Sequence, residues 1–285
     1  GYSGAGDQAR PRRDAKTFRS VQALTSESLK ARGFEPIDWS DKHQVTNQAS
    51  CGSCWAHATT GALHSRAQVQ AGTSLPYPSR QAVTACTPNP NKCGGTGGCQ
   101  GSTAQLGFDY IAKAGGLSLE SDYPYTAGGG STGVCKDQQY KAAYTISGYV
   151  DVQPNNRTAL LEALKQGPVA VSAAASGWSF YGGGVYTKCS DKSVNHAITL
   201  VAAGQDAATG KYYYTIANSW GGSWGEKGFM RLEMAAPDVE EECGTDPAPY
   251  DGSACANDPN PRTLACGCTG ILFDSAYPVG IKYNP

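Results

Sequence analysis

Two cysteines, Cys51 and Cys54, lie three positions apart in the stretch NQASCGSCWAHATTGALHS (residues 47–65), and His57 follows about one helical turn later. Three chemistries suit such a pair. A dithiol redox couple belongs in a strand–helix–strand unit, whereas this chain offers Cys51 many other partners. A zinc site needs a second ligand pair of matching spacing; Cys266 and Cys268 have the wrong spacing and the four histidines are scattered. The third chemistry fits best. At the first position of a helix a thiolate is stabilised by the helix N-terminus and by a nearby imidazolium. Cys54 then reads as a nucleophile, and Cys51 is left to form a disulfide that pins the approach to it.

A thiolate nucleophile needs a base, and the base needs an orienting group. His57 sits in an apolar run and reads as a buried, hydrogen-bonded core histidine. His43 and His64 stand beside polar residues and read as exposed. His196 opens an apolar strand in SVNHAITLV, and Asn218 closes another in IANSWGGSWG, next to Trp220. An amide oxygen accepting an imidazole N–H can take the place of the carboxylate in serine triads, and a covering indole shields that bond from water.

These groups need elements to position them. CWAHATTGALHSRAQVQAG (54–72) has small and apolar residues at helical spacing, with Gly72 as its stop. STAQLGFDYIAKAGG predicts a second helix, capped by Ser102 or Thr103 and ended by Gly115 and Gly116. NNRTALLEALKQGP predicts a third, capped by Asn155 or Asn156 and terminated by Gly167 and Pro168. Beyond it, PVAVSAAA, HAITLVAAG, KYYYTIANSW and GFMRLEM are short, β-branched or aromatic, and read as strands. The implied class is α+β: a mainly helical part, about 48–130, and a β-rich part, about 131–285, with a cleft between them. Residues 1–35 hold seven Lys/Arg against four Asp/Glu and no cysteine, and read as an extension. Residues 235–265 are rich in Pro, Asp and Asn and read as a disulfide-stapled surface insertion.

Of the 285 residues 40% are apolar, and the formal net charge is −1, which describes a globular core and gives no general reason to bind nucleic acid or an anionic membrane. The longest apolar runs are too short to span a bilayer. With no apolar leader-like run and no opening Met, the chain reads as the processed product of a longer precursor. Eleven cysteines favour an oxidising compartment, and their odd number leaves one thiol to explain. Asn156-Arg157-Thr158 is a glycosylation acceptor sequence.

The stretches NQASCGSCW, GCQGS, VNHAI and NSWGGSWGEKGF, with PIDW, ESDYPYTA, QGPVAV, YGGGVY and SAYPVG in order, resemble the papain-like cysteine peptidases, the cathepsin L group in particular, from about Pro36 to Pro278. The resemblance implies a papain-like fold with a helical left subdomain and a β-barrel-like right one. It implies a cysteine endopeptidase of EC 3.4.22 type, working through a thioester and needing no cofactor or metal. Cys54 resembles the nucleophile, His196 the general base and acid, Asn218 the orienting residue and Gln48 the side-chain donor of the oxyanion hole. By resemblance Cys51 pairs with Cys99, Cys86 with Cys135 and Cys189 with Cys268. Cys93, Cys243, Cys255 and Cys266 allow three pairings, and Cys243–Cys255 with Cys93–Cys266 is the expectation. Cys54 is then the odd thiol.

The resemblance also implies a substrate cleft. Gly52, Gly101 and Ser102 lie along the peptide path, with Ser102 where the family has a second glycine. Thr103, Ala104, Ser172, Asn195 and Ala197 line the pocket for the second residue before the scissile bond (P2), and Trp220 and Trp224 are further substrate-binding residues of the cleft. Asp274 either forms the floor of that pocket and accepts Arg or Lys, or faces solvent. His57 stands where the family usually has Phe, and should be neutral. Arg80 replaces a common Glu. Implied partners are polypeptide substrates and cystatin-like or propeptide inhibitors, with no nucleic acid or membrane and a monomeric chain. The implied location is lysosomal or vacuolar, or secreted. The extension is a proregion remnant, a strap or a plug, and its basic residues could pair with Asp238–Glu242. Two rivals use the same residues or fold: a catalytically silent scaffold and an acyl-transferring ligase.

Overall fold

The computed structural model describes residues 34–284. The extension, and with it any pairing to Asp238–Glu242, lies outside the described residues apart from its last two. Strand β1 (Ile37–Asp38) leads into helix α1 (Cys54–Ala71), α2 (Arg80–Cys86) and α3 (Ala104–Ala114). Strands β2 (Tyr144–Thr145) and β3 (Gly148–Asp151), helix α4 (Arg157–Lys165), and β4 (Val169–Ala173), β5 (Val185–Tyr186), β6 (His196–Gln205), β7 (Tyr212–Ala217) and β8 (Phe229–Met234) follow. The chain closes with β9 (Cys243–Thr245), β10 (Leu264–Cys266), β11 (Ser275–Val279) and β12 (Lys282–Tyr283). The main sheet runs β3-β11-β4-β6-β7-β8-β5, with β1 added beside β6.

The helix ends follow local chemistry. Gly72 and Gly115 take left-handed φ values of 64° and 81°, where a Cβ would be strained, and close α1 and α3. Thr103, rather than Ser102, caps α3 by accepting from Leu106 N, and Asn156 caps α4 by accepting from Ala159 N. Asn155 instead ties down the insertion through Leu264 O and Cys266 N. Helix α2 gives no clear periodic signal in seven residues; Ser79 Oγ caps it by accepting from Ala82 N.

Two apolar clusters hold the halves. Trp55, Leu63, Phe108 and Ile111 anchor the helical one, which also reaches Ala170, Ala197 and Ala276 of the sheet. Trp178, Leu200, Tyr214 and Ile216 anchor the other. Helix α1 packs against both β4 and β6 and is buried continuously from Trp55 to Gln68. Even its Arg66 is interior: Nε donates to Pro168 O at 2.7 Å, and Nη2 to Ala163 O at 2.7 Å and Gly167 O at 3.0 Å. A buried guanidinium is tolerated because these carbonyls replace water.

The cysteine expectations divide. Cys51–Cys99, Cys86–Cys135 and Cys189–Cys268 are bonded as the resemblance implied, and Cys54 is free. The other pairing is corrected: Cys93 bonds Cys255 and Cys243 bonds Cys266. The reason is register. Antiparallel β9 and β10 set Cys243 directly opposite Cys266, and an isolated bridge sets Cys93 opposite Cys255. Two histidine expectations are corrected as well. His64 is buried, its Nε2 donating to Leu75 O at 2.9 Å, and the ring of His43 packs over Gly61 with Nδ1 3.1 Å from Ser65 Oγ. Of the acidic stretch 238–242, Glu241 is taken inside the fold, accepting from Tyr214 Oη at 3.0 Å and paired with Arg157 at 3.6 Å.

Candidate active site

Cys54 is the first residue of α1 and comes from the helical half, while His196 and Asn218 come from the sheet. Antiparallel pairing explains how residues 22 apart meet: His196 begins β6, Asn218 follows the last residue of β7, and Thr199 pairs with Ala217. Asn218 N–H donates to Gly228 O at 2.9 Å, fixing the turn beyond the strand. Its Oδ1 then lies 2.8 Å from His196 Nε2. With Nε2–H committed to that bond, Nδ1 is left for the thiol.

Charge follows geometry. Burial alone pushes the Cys54 thiol up, but the charge and hydrogen bond of His196, with the N–H groups of Ala197 and Trp55, outweigh it and bring the thiol below its ordinary value. Burial disfavours the His196 imidazolium, yet the Cys54 charge and hydrogen bonds to Cys54 and Asn218 raise it above the ordinary range. The two opposite shifts favour a thiolate–imidazolium pair.

Gln48 enters from the loop ahead of α1. Its N–H donates to Ser219 O at 2.8 Å, its Oε1 accepts from Ser219 Oγ at 2.6 Å, and its Nε2 donates to Cys51 O at 2.9 Å. The amide is thus oriented, and its second N–H is not used by these bonds. Gly52, held by N–H donation to Cys99 O at 3.0 Å, has no room for a side chain: a Cβ would stand 2.5 Å from that oxygen.

Aromatic rings enclose the His196 imidazole. Trp220 lies 5.2 Å from the His196 ring, and Trp224 packs edge-on against Trp220 at 5.2 Å. Trp178, which sequence reading passed over, stands edge-on to His196 at 6.1 Å; its only signal was a lone Trp in a loop. Ser219 was also missed, although it directly follows Asn218. His57 is buried, with Nδ1 2.8 Å from Thr46 Oγ1, but its Nε2 finds no hydrogen bond among the described residues, so it is only half satisfied. It does stay neutral: burial, then the positive charges of Arg80 and His196, hold it well below the ordinary value. Arg80 donates to Glu120 Oε1 at 2.6 Å beside it.

The expected pocket residues divide between two walls. Gly101, Ser102, Thr103 and Ala104 lead into α3 on the helical side. On the sheet side Ser172 pairs in register with Ala197, and Asn195 immediately precedes His196. Asp274 is not turned to solvent. Its Oδ1 accepts from Gln105 Nε2 at 2.7 Å, its Oδ2 lies 3.3 Å from Ser172 Oγ, and Arg262 Nη2 of the insertion comes within 3.7 Å.

Residues 34–251 match the profile of the papain family cysteine proteases. Cysteine protease 1 of Oryza sativa subsp. japonica is 35% identical over 251 residues, 85% of this chain and 48% of that protein. Cathepsin J of Mus musculus is 37% identical over 216 residues, 73% of this chain and 61% of that protein. Among solved structures, bromelain from Ananas comosus, in complex with the E64 inhibitor, superposes with a TM-score of 0.67 at 30% identity, covering 87% of this chain and 99% of that one. The chain spans 48% and 62% of the length of the first curated relatives it matches.

Proposed function

Because the chain belongs to the papain family of cysteine proteases, we propose that it hydrolyses peptide bonds of polypeptides as a cysteine peptidase of the endopeptidase class, EC 3.4.22 type. The observation that carries this reading is a free Cys54 thiol at the first position of α1, hydrogen-bonded to His196, with Asn218 Oδ1 2.8 Å behind that imidazole; the opposed shifts of the two groups agree with it. The Cys54 thiolate attacks the scissile carbonyl carbon. The developing oxyanion takes the free N–H of Gln48 Nε2 and the backbone N–H of Cys54, and each such donor is worth roughly 3 kcal/mol in comparable sites. The C–N bond breaks as His196 Nδ1–H passes its proton to the leaving amine. His196 then takes a proton from water, whose oxygen attacks the thioester, releasing the acid and restoring the thiolate. The silent-scaffold reading has no damaged residue to support it. The five disulfides support an oxidising compartment, with vacuolar, lysosomal or secretory location as the finer reading.

Iodoacetamide or an epoxide probe tests the assignment. One equivalent should attach rapidly, mass mapping should place it on Cys54 alone, and peptide substrate should slow it. An unreactive Cys54 in the folded chain would remove the proposal.

We also read Asp274 as the floor of the P2 pocket, beside Ser172. Arg262 sits half-exposed at its carboxylate and over the Phe273 ring at 4.3 Å, so a cation already occupies the place a basic P2 side chain would take. Removing it with Arg262→Ala should raise kcat/KM for Arg or Lys at P2 relative to Leu by about five-fold, the equivalent of roughly 1 kcal/mol for a partly exposed pair. Asp274→Ala should lose basic P2 substrates selectively. Equal changes on Leu and Arg substrates in both variants would show that Asp274 does not face P2.

A further inference from the structure

The insertion between β9 and β10 does more than decorate the surface. It leaves the sheet half at the Cys243–Cys266 disulfide and is fastened to the helical half at Cys93–Cys255. On the helical side Gly94 N–H donates to Ala254 O at 3.0 Å, and Ala256 N–H to Asn91 O at 3.1 Å. Gly94 in turn leans on the substrate wall: a Cβ there would stand 3.0 Å from Ser102 O and 2.7 Å from Gly252 O. On the opposite wall a Cβ on Gly252 would stand 1.8 Å from Val194 O and 3.2 Å from Asn195 Cα, the residue next to the catalytic base. Both glycines are required by these approaches. One stretch of backbone, Gly252–Ala254, therefore runs from the Ser102 side of the cleft to the Asn195 side. It is tightly seated: Ser253 and Ala254 are buried, as is Asp246 at the start of the loop.

We infer that Gly252–Ala254 is a strap across the cleft on the amino-terminal side of the scissile bond. It lies against the walls that flank the P2 pocket, so a bound peptide reaches it about two residues upstream of the cut, at roughly 3.4 Å of chain per residue. Longer chains on that side meet backbone stapled at both ends, and the close approaches of the strap named above fall on the Ser102 and Asn195 walls. The substrate class that follows is polypeptide cut near its amino end. This rests on the thiol-peptidase chemistry proposed above and replaces its endopeptidase class with cleavage close to a free amino end; if the strap fails, internal cutting by the same residues is what remains.

The test compares two coumarin amides on the full chain: a free-amino dipeptidyl amide, and the same dipeptide carrying four further residues upstream. The wild-type protein should cleave the extended substrate at least ten-fold less efficiently, and mass spectra of a digested unfolded polypeptide should show amino-terminal fragments before internal cuts. Cys93→Ser/Cys255→Ser, which unpins the strap and keeps Cys243–Cys266, should narrow the gap by raising kcat/KM for the extended substrate only. The substrate comparison needs no variant, so a misfolded double mutant would not decide the matter. Equal efficiencies in the wild-type protein, or early internal cuts, would overturn the strap while leaving the peptidase assignment standing. If neither substrate is cut and Cys54 resists iodoacetamide, both readings fall together.

Discussion

His196→Ala should lower kcat/KM by roughly 10⁴–10⁶-fold, because in the proposed mechanism one side chain keeps Cys54 ionised, protonates the leaving amine and activates the water. The fold should survive, since the ring lies at the start of β6 and the β4–β6–β7 ladder is made by backbone. A milder variant separates positioning from chemistry. Asn218→Ala keeps the imidazole itself but removes the hydrogen bond that orients it and raises its pKa. Activity requires the thiolate–imidazolium pair, so kcat/KM should rise with pH through the lowered pKa of Cys54 and fall through the raised pKa of His196. Without Asn218 the alkaline limb should move to lower pH, while kcat falls by about 10²-fold or more, as for loss of an orienting group in a triad. A pH profile of kcat/KM checks both limbs. An alkaline limb that stays in place would mean that Asn218 does not hold the base.

That constellation was legible in the sequence because it is written in local signals: a cysteine at a helix start, a histidine at a strand start and an asparagine at a strand end. What could not be read was the far side of each element. Helix α1 is buried on every side, so Arg66, His64 and Gln68 look like surface residues in sequence yet satisfy their polar atoms with carbonyls of other segments. No periodicity marks a polar residue whose partners lie 97 to 102 positions away, as those of Arg66 do. The insertion failed for the same reason. Its composition announced a stapled loop, but pairing depends on which strand lies opposite which, and only β9 against β10 puts Cys243 beside Cys266. Trp178 belongs here too: its place against His196 comes from the path of a loop, which nothing local dictates.

The buried histidines carry a cost at acid pH that can be measured. His57 is held neutral by burial and by the facing charges of Arg80 and His196, and His43, by burial and the nearby His64, is pushed down to about 3. In the unfolded chain both titrate near pH 6.5. The unfolded state therefore binds more protons below that pH, and stability is lost as pH falls, by up to about 1.4 kcal/mol per pH unit for each histidine. For His57 alone this amounts to at most about 3 kcal/mol between pH 6.5 and 4.5. Glu241 and Asp246 work the other way, since burial raises both and the folded chain protonates them first. The informative quantity is thus a difference between variants. His57→Phe loses the bond to Thr46 and should start about 1 kcal/mol less stable at neutral pH. Its urea midpoint should then fall less steeply than that of the wild-type protein from pH 6.5 downward, so that the two curves cross. Parallel curves would mean that His57 takes up its proton inside the folded protein, next to the positively charged base that an active Cys54 requires.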